Sequence, residues 1–96
     1  MRYVTITTWE LTDGADFDLT MEKVEARRLP ALKELGAERV QLIRTSDRTV
    51  AAISEWPDKA SRDTAAAMIE SVRAQVRSED HTKMTGEVVG EVVAEV

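Results

Sequence analysis

Residues 87–96 read Glu87-Val88-Val89-Gly90-Glu91-Val92-Val93-Ala94-Glu95-Val96. Side chains along a strand alternate between its two faces. One face is then Val88, Gly90, Val92, Ala94 and Val96, all apolar or small. The other is Glu87, Val89, Glu91, Val93 and Glu95, which is mixed. A mixed second face on so β-prone a strand implies that both sides of its sheet are at least partly covered. The segment points to a small α+β unit that pairs with a copy of itself. It does not point to a reaction.

The other elements follow from pattern and punctuation. Residues 2–11 are rich in β-branched and aromatic types and form a strand. Thr12, Asp13 and Gly14 break it. A helix is expected from Asp16 to Leu35. Asp16 or Asp18 caps it, Pro30 kinks or restarts it, and Gly36 ends it. Its stripe is Met21, Val24, Leu32 and Leu35, with Arg28 in the position that completes it. Strands over 38–45 and 49–56 form a hairpin through Ser46, Asp47 and Arg48. Pro57 and Asp58 end the second of these. Asp58 then caps a helix from Lys59 to about Arg77, with Ala65, Met68, Ile69, Val72 and Val76 as its stripe. Residues 78–85 read as polar loop, and Gly90 marks a bulge or close approach in the last strand.

The order is β-α-β-β-α-β, the ferredoxin-like arrangement. The expected fold is α+β: a four-stranded antiparallel sheet with both helices on one face, in a single domain over 1–96. Short right-handed connections are expected to set the first and third strands side by side in the middle, parallel. Parity assigns Val4, Ile6, Val40, Leu42, Val50 and Ala52 to the helix-facing side, with Val88 and Val92 from the last strand. The opposite side receives Tyr3, Thr5, Thr7 and Trp9 from the first strand. Gln41, Ile43, Ala51, Ile53, Val89 and Val93 complete it. Such a patch is large for a lone monomer and predicts a homodimer through that sheet face, anchored by Trp9.

The sequence resembles the dimeric α/β-barrel proteins, the group of antibiotic-biosynthesis monooxygenases and stress-responsive barrel proteins. The resemblance covers the whole chain by element order and length. Its most similar segment is Ile53-Ser54-Glu55-Trp56-Pro57-Asp58-Lys59-Ala60-Ser61, a strand ending in Trp and running into the second helix. It implies two ferredoxin-like protomers packed sheet to sheet as a closed barrel. It also implies a substrate space between sheet and helices that a tryptophan helps line. Haem-degrading relatives use an asparagine on the first strand and a histidine in the second helix. This chain contains no asparagine, and its one histidine follows the helix.

Composition removes several classes of function. With 18 acids against 13 bases and a net charge of −5, no basic stripe exists for nucleic acid or an anionic membrane. The chain has no cysteine, which removes disulfides, thiolate metal sites and a cysteine nucleophile. That fits a cytoplasmic protein. Residues 1–11 read as a strand and not as an apolar leader. The longest apolar run, Ala65 to Ile69, falls far short of the ~20 residues that span a bilayer. No glycine-rich nucleotide loop is present, and one histidine cannot make a multi-histidine metal site.

Five residues are candidates for a ligand pocket. Trp56 points inward and either lines the space under the helices or plugs the end of the core. Phe17 and Met21 are its expected neighbours, on the view that the first helix begins there. Arg28 needs an acid, a carbonyl or a ligand anion, or else it snorkels outward at the Pro30 kink. His81 is either a solvated loop residue or, with Glu79 and Asp80, an acid–base group or a weak metal site. Arg28 and His81 are expected at the end of the domain away from Trp56. Catalytic residues stay unassigned, and no metal or cofactor is expected. Two functions remain open. One is a cofactor-independent monooxygenase-like or isomerase-like enzyme on a small hydrophobic ring substrate. The other is a non-catalytic small-molecule-binding or structural dimer.

Overall fold

The computed structural model describes residues 2–77 and 82–96, with α2 side chains described through Ser71 and at Ala74. The elements are β1 (Tyr3–Leu11), α1 (Phe17–Glu34), β2 (Arg39–Arg44), β3 (Thr49–Trp56), α2 (Lys59–Arg77) and β4 (Thr82–Glu91). The sheet order is β2-β3-β1-β4, and every neighbouring pair is antiparallel. Residues from both helices pack on the same side of the sheet. This is the ferredoxin-like fold expected from the element order.

The helix ends follow their sequence signals. Asp16 caps α1 by accepting a 2.9 Å bond from the Leu19 N–H. Asp58 does the same for α2, accepting from Ser61 at 2.7 Å. That backbone bond holds the Asp58 carboxyl below its ordinary pKa. Pro30 sits inside α1, which runs through it. Leu35 is the C-cap of α1, and Gly36 follows at φ 118°. The Gly36 N–H reaches the Lys33 carbonyl at 3.1 Å, and the Ala37 N–H reaches that of Leu32 at 3.2 Å. These two bonds form a Schellman closure, which satisfies carbonyls that the helix end would otherwise leave bare.

Three sequence expectations are corrected. The first concerns direction. β1 and β3 are neighbours but antiparallel, so Tyr3 pairs with Trp56 and Trp9 with Val50. Two strands joined by one helix and one hairpin must reverse once, and that reversal makes β3 oppose β1.

The second correction concerns faces. In β1 the residues Tyr3, Thr5, Thr7, Trp9 and Leu11 are buried and Val4, Ile6, Thr8 and Glu10 are not. The threonine–tryptophan side therefore lies under the helices. β4 is inverted with it: Glu87 and Val89 pair with Thr7 and Thr5 on the helix side, and Val88 pairs with Ile6 on the open side. The assignments for β2 and β3 hold. Polar residues carry the helix side of β1 because their hydrogen bonds are satisfied there, as described below.

The third correction concerns β4, which starts at Thr82 rather than near Glu87. Residues 82–84 pair with the end of β1, and the bulge falls opposite Thr8 and Trp9, not at Gly90. In α2, Ala65 and Ile69 are buried as expected, whereas Met68 is exposed.

The core divides into two clusters. Tyr3, Ala37, Trp56, Ala65 and Ile69 form one, with Leu32, Leu35 and Val40 against it. Trp9, Val50 and Ala52 form the other, with Phe17, Met21, Leu42 and Met84 against it.

Gly36 provides a test of this frame. A Cβ there would meet Trp56 at an ordinary 3.8 Å, so its cost is conformational rather than steric. Gly36→Ala is expected to destabilise the fold by about 1–2 kcal/mol. The check is urea unfolding at fixed protein concentration, where the midpoint falls and the slope is unchanged. An unmoved midpoint would contradict the helix closure.

Candidate functional site

Two short motifs build the floor of the space between sheet and helices. Each is a hydroxyl residue, one spacer and a tryptophan: Thr7-Thr8-Trp9 in β1 and Ser54-Glu55-Trp56 in β3. Residues two apart on a strand share a face. The indole N–H of Trp9 donates to Thr7 Oγ1 at 2.8 Å, and that of Trp56 donates to Ser54 Oγ at 3.1 Å. Both bonds are buried. A buried indole N–H without an acceptor costs ~1–3 kcal/mol, so each hydroxyl makes burial of its tryptophan tolerable.

Because β1 and β3 are antiparallel, Thr5 lies directly opposite Ser54 and Thr7 opposite Ala52. The hydroxyls of Thr5, Thr7 and Ser54 thus form one polar strip on an otherwise apolar floor. Trp9 and Trp56 sit towards opposite ends of it.

Two arginines reach this strip from the helices. Arg28 of α1 is only 5% exposed, and its guanidinium carbon lies 4.3 Å from the centroid of the Trp9 ring. A desolvated cation over an indole is worth roughly 2 kcal/mol. Arg62 of α2 donates from Nε to Thr5 Oγ1 at 3.1 Å, and a terminal nitrogen lies 3.9 Å from Glu87 of β4. Its side chain is 12% exposed. Thr5, Thr7, Ser54, Trp9, Arg28 and Arg62 border one cavity of about 30 Å³, closed further by aliphatic side chains such as Leu32 and Ile69. A water needs ~10–15 Å³ on this measure, whereas a cavity that binds benzene is ~150 Å³. The space accepts one or two small polar molecules as it stands. A ring would require the helices to move apart.

The five sequence candidates are not gathered in one place. Trp56 is fully buried in the cluster with Tyr3 and Ile69 and does not border the cavity. Phe17 and Met21 pack in the Trp9 cluster instead, with Arg44 stacked 3.7 Å over the Phe17 ring. The antiparallel pairing of β3 explains this, since it places Trp56 beside the end of α1 and not its beginning. Arg28 borders the cavity, and its guanidinium turns inward rather than snorkelling. His81 lies outside the described residues. Trp9, assigned from sequence to a dimer surface, is a wall of the site.

Arg62, Thr5, Thr7 and Ser54 were not anticipated. A signal for Arg62 exists: it stands three residues before Ala65 and seven before Ile69, on the buried stripe of α2. Arg28 occupies the equivalent breach in the stripe of α1. For the hydroxyls, the signal is their spacing of two from each tryptophan.

Solved structures with this fold span nearly the whole chain. A dimeric ferredoxin-like protein from an uncultured marine organism is 22% identical, with a TM-score of 0.77, covering 99% of this chain and 98% of that one. SnoaB, a cofactor-independent oxygenase from Streptomyces nogalater, is 17% identical with a TM-score of 0.76, covering 99% and 96%. A putative antibiotic biosynthesis monooxygenase from Nitrosomonas europaea is 14% identical with a TM-score of 0.65, covering 96% and 90%. No protein-family model and no curated protein sequence matches the chain. At these identities the likeness establishes the fold.

The hydroxyl–indole pairing yields a direct prediction. Thr7→Val keeps the side-chain shape but leaves the Trp9 N–H without its acceptor. It is expected to cost ~1–3 kcal/mol in chemical denaturation, with Thr7→Ser recovering most of that. A cost within ~0.5 kcal/mol for the valine variant would contradict the buried hydroxyl–indole bond.

Proposed function

From a fold shared with dimeric ferredoxin-like proteins and a cofactor-independent oxygenase, we propose a function for this chain. It forms a homodimer and binds a small ring compound between the helices and sheet of each protomer, as a cofactor-independent oxygenase. The observation that carries this reading is the cavity on the helix side of the sheet, with its indole wall and clustered hydroxyl and guanidinium groups. Binding sites of this kind join an apolar surface to a few placed polar groups.

The lining side chains suit orientation more than proton transfer. Threonine, serine and tryptophan do not ionise near neutrality, and a guanidinium stays charged. A substrate here would have to supply its own acidity and its own electrons to oxygen. The protein's part would be to hold the ring and stabilise charge that develops on it.

The proposed dimer uses the open face of the sheet. Ile6, Ile43 and Val88 are 36%, 44% and 67% exposed there, beside Val4 and Ile53. This apolar face differs from the one expected from sequence in its β1 and β4 residues but keeps Ile43 and Ile53. Dimerisation itself is supported by the dimeric ferredoxin-like proteins that share the fold.

A second reading is favoured by the small volume of the cavity. Side chains of the protein itself nearly fill the space, as in a binding or structural dimer without turnover.

Two measurements test these readings. Light scattering is expected to give twice the 10.7 kDa chain mass, with Ile43→Asp shifting the protein to monomer while retaining its circular dichroism. A 10.7 kDa wild-type species would overturn the dimer. With a panel of polyhydroxylated aromatic compounds, an oxygen electrode should record uptake matched to substrate loss. Binding by calorimetry without oxygen uptake would establish the second reading. Neither binding nor uptake would remove both ligand-based readings.

A further inference from the structure

Gly90 is a residue that the fold of one chain does not ask for. The glycines at positive φ are Gly14 and Gly36, not Gly90. A Cβ built on Gly90 meets no heavy atom within 4 Å among the described residues. Gly86, on the same strand, is different, because a Cβ there would come to 3.0 Å from Thr8 Oγ1. Glycine inside a strand weakens it and marks a bulge or the close approach of another group. The irregularity of β4 lies opposite Thr8 and Trp9. What remains for Gly90 is an approach from outside its own protomer.

The register shows what surrounds it. Gly90 lies opposite Val4, Val88 opposite Ile6, and Ile6 opposite Ile53. Ile53, Ile6 and Val88 therefore form one raised row across β3, β1 and β4 on the open face, with Gly86 and Gly90 to either side of it on β4. Val4, Ile6, Val88, Gly90 and Val92 border a groove of about 210 Å³ on that face. The same patch thus carries an apolar ridge and an apolar groove. A two-fold interface needs such self-complementarity, since one patch serves both partners.

The charges on this face point to the same occupant. Among the strand residues that share it, Glu10 lies directly opposite Lys83 and Glu55 directly opposite Arg39. Opposite charges facing across strands attract and cancel. A chain of net charge −5 therefore presents a face with as many bases as acids. A second copy meets no like-charge repulsion there, and a strongly basic or acidic partner finds no counter-charge.

We infer that the groove floored by Gly90 receives the Ile6–Val88 ridge of a second copy, so that the size of residue 90 sets the affinity of the dimer. The inference rests on the proposed dimer through the open face and names the contact that determines its fit.

The test is sedimentation equilibrium of wild type, Gly90→Ala, Gly90→Val and Gly90→Leu over a range of protein concentrations, with circular dichroism of each. Wild type is expected to be a dimer. Its dissociation constant is expected to rise with the size of residue 90, by roughly ten-fold or more for leucine. The variants should keep the wild-type circular dichroism, because residue 90 has open space within its own protomer. A dimeric wild type with an unchanged dissociation constant across the series would overturn the groove contact and leave the dimer standing. A wild type that stays monomeric throughout would remove the dimer and the contact together. If the bulkier variants do not fold, Gly90→Ala decides. A weakened dimer of intact protomers is the expected result, and a less stable protomer with undiminished dimer affinity would overturn the inference.

Discussion

The demand of a buried indole N–H for an acceptor sets the arrangement of this protein. Trp9 and Trp56 are both buried, and each is satisfied by the hydroxyl two residues earlier on its own strand. Once Trp9 goes under the helices, period-two alternation takes Thr7, Thr5 and Tyr3 with it. Val4 and Ile6 are then left on the open face. β4 inherits its facing from β1 through the ladder, so Val88 turns outward beside Ile6. That bond makes burial of Trp9 tolerable, and with Trp9 buried the polar side of β1 lies beneath the helices and its apolar side is left uncovered. Both proposed functions descend from that choice, the ligand cavity from the first side and the dimer face from the second.

Much of the fold is legible in the chain because its signals are local. Asp16, Asp58 and Gly36 mark helix ends by chemistry that needs no tertiary context. The hairpin of β2 and β3 is fixed by a short polar turn, and its faces are unambiguous because Val40, Leu42, Val50 and Ala52 fall in phase. β1 is different. Its two faces compete, with Val4 and Ile6 on one and Tyr3, Thr5, Thr7 and Trp9 on the other. Hydrophobicity alone selects the aliphatic pair, and the structure selects the aromatic side because its threonines find partners. The start of β4 is illegible for a related reason. Thr82-Lys83-Met84 looks like loop by composition and becomes strand by pairing with the end of β1. The direction of β3 relative to β1 follows from topology, and a parallel assignment places Trp56 at the wrong end of α1.

The site was legible in part through its anomalies. An arginine on an apolar stripe is a conflict between sequence period and side-chain chemistry, and such conflicts gather where a protein does more than fold. Arg28 shows the conflict plainly because it completes a stripe of large aliphatics. Arg62 hides it, since its stripe begins with small residues and it stands beside Asp63 in a charged first turn. The hydroxyls hide it further, because threonine in a strand is ordinary. Only the pairing of Thr5 with Ser54 across two strands makes them a group, and pairing is not written in one strand's sequence.

The claim on which the rest depends is that Trp9 lies under the helices of its own protomer. The direct measurement is the set of nuclear Overhauser contacts made by the Trp9 indole, recorded in uniformly labelled protein and in a mixture of labelled and unlabelled chains. The account predicts contacts from the Trp9 ring to Arg28 and to members of its cluster such as Val50 and Met21, all within one chain. Contacts from that ring to Ile43 on the open face, or across chains in the mixed sample, would contradict it.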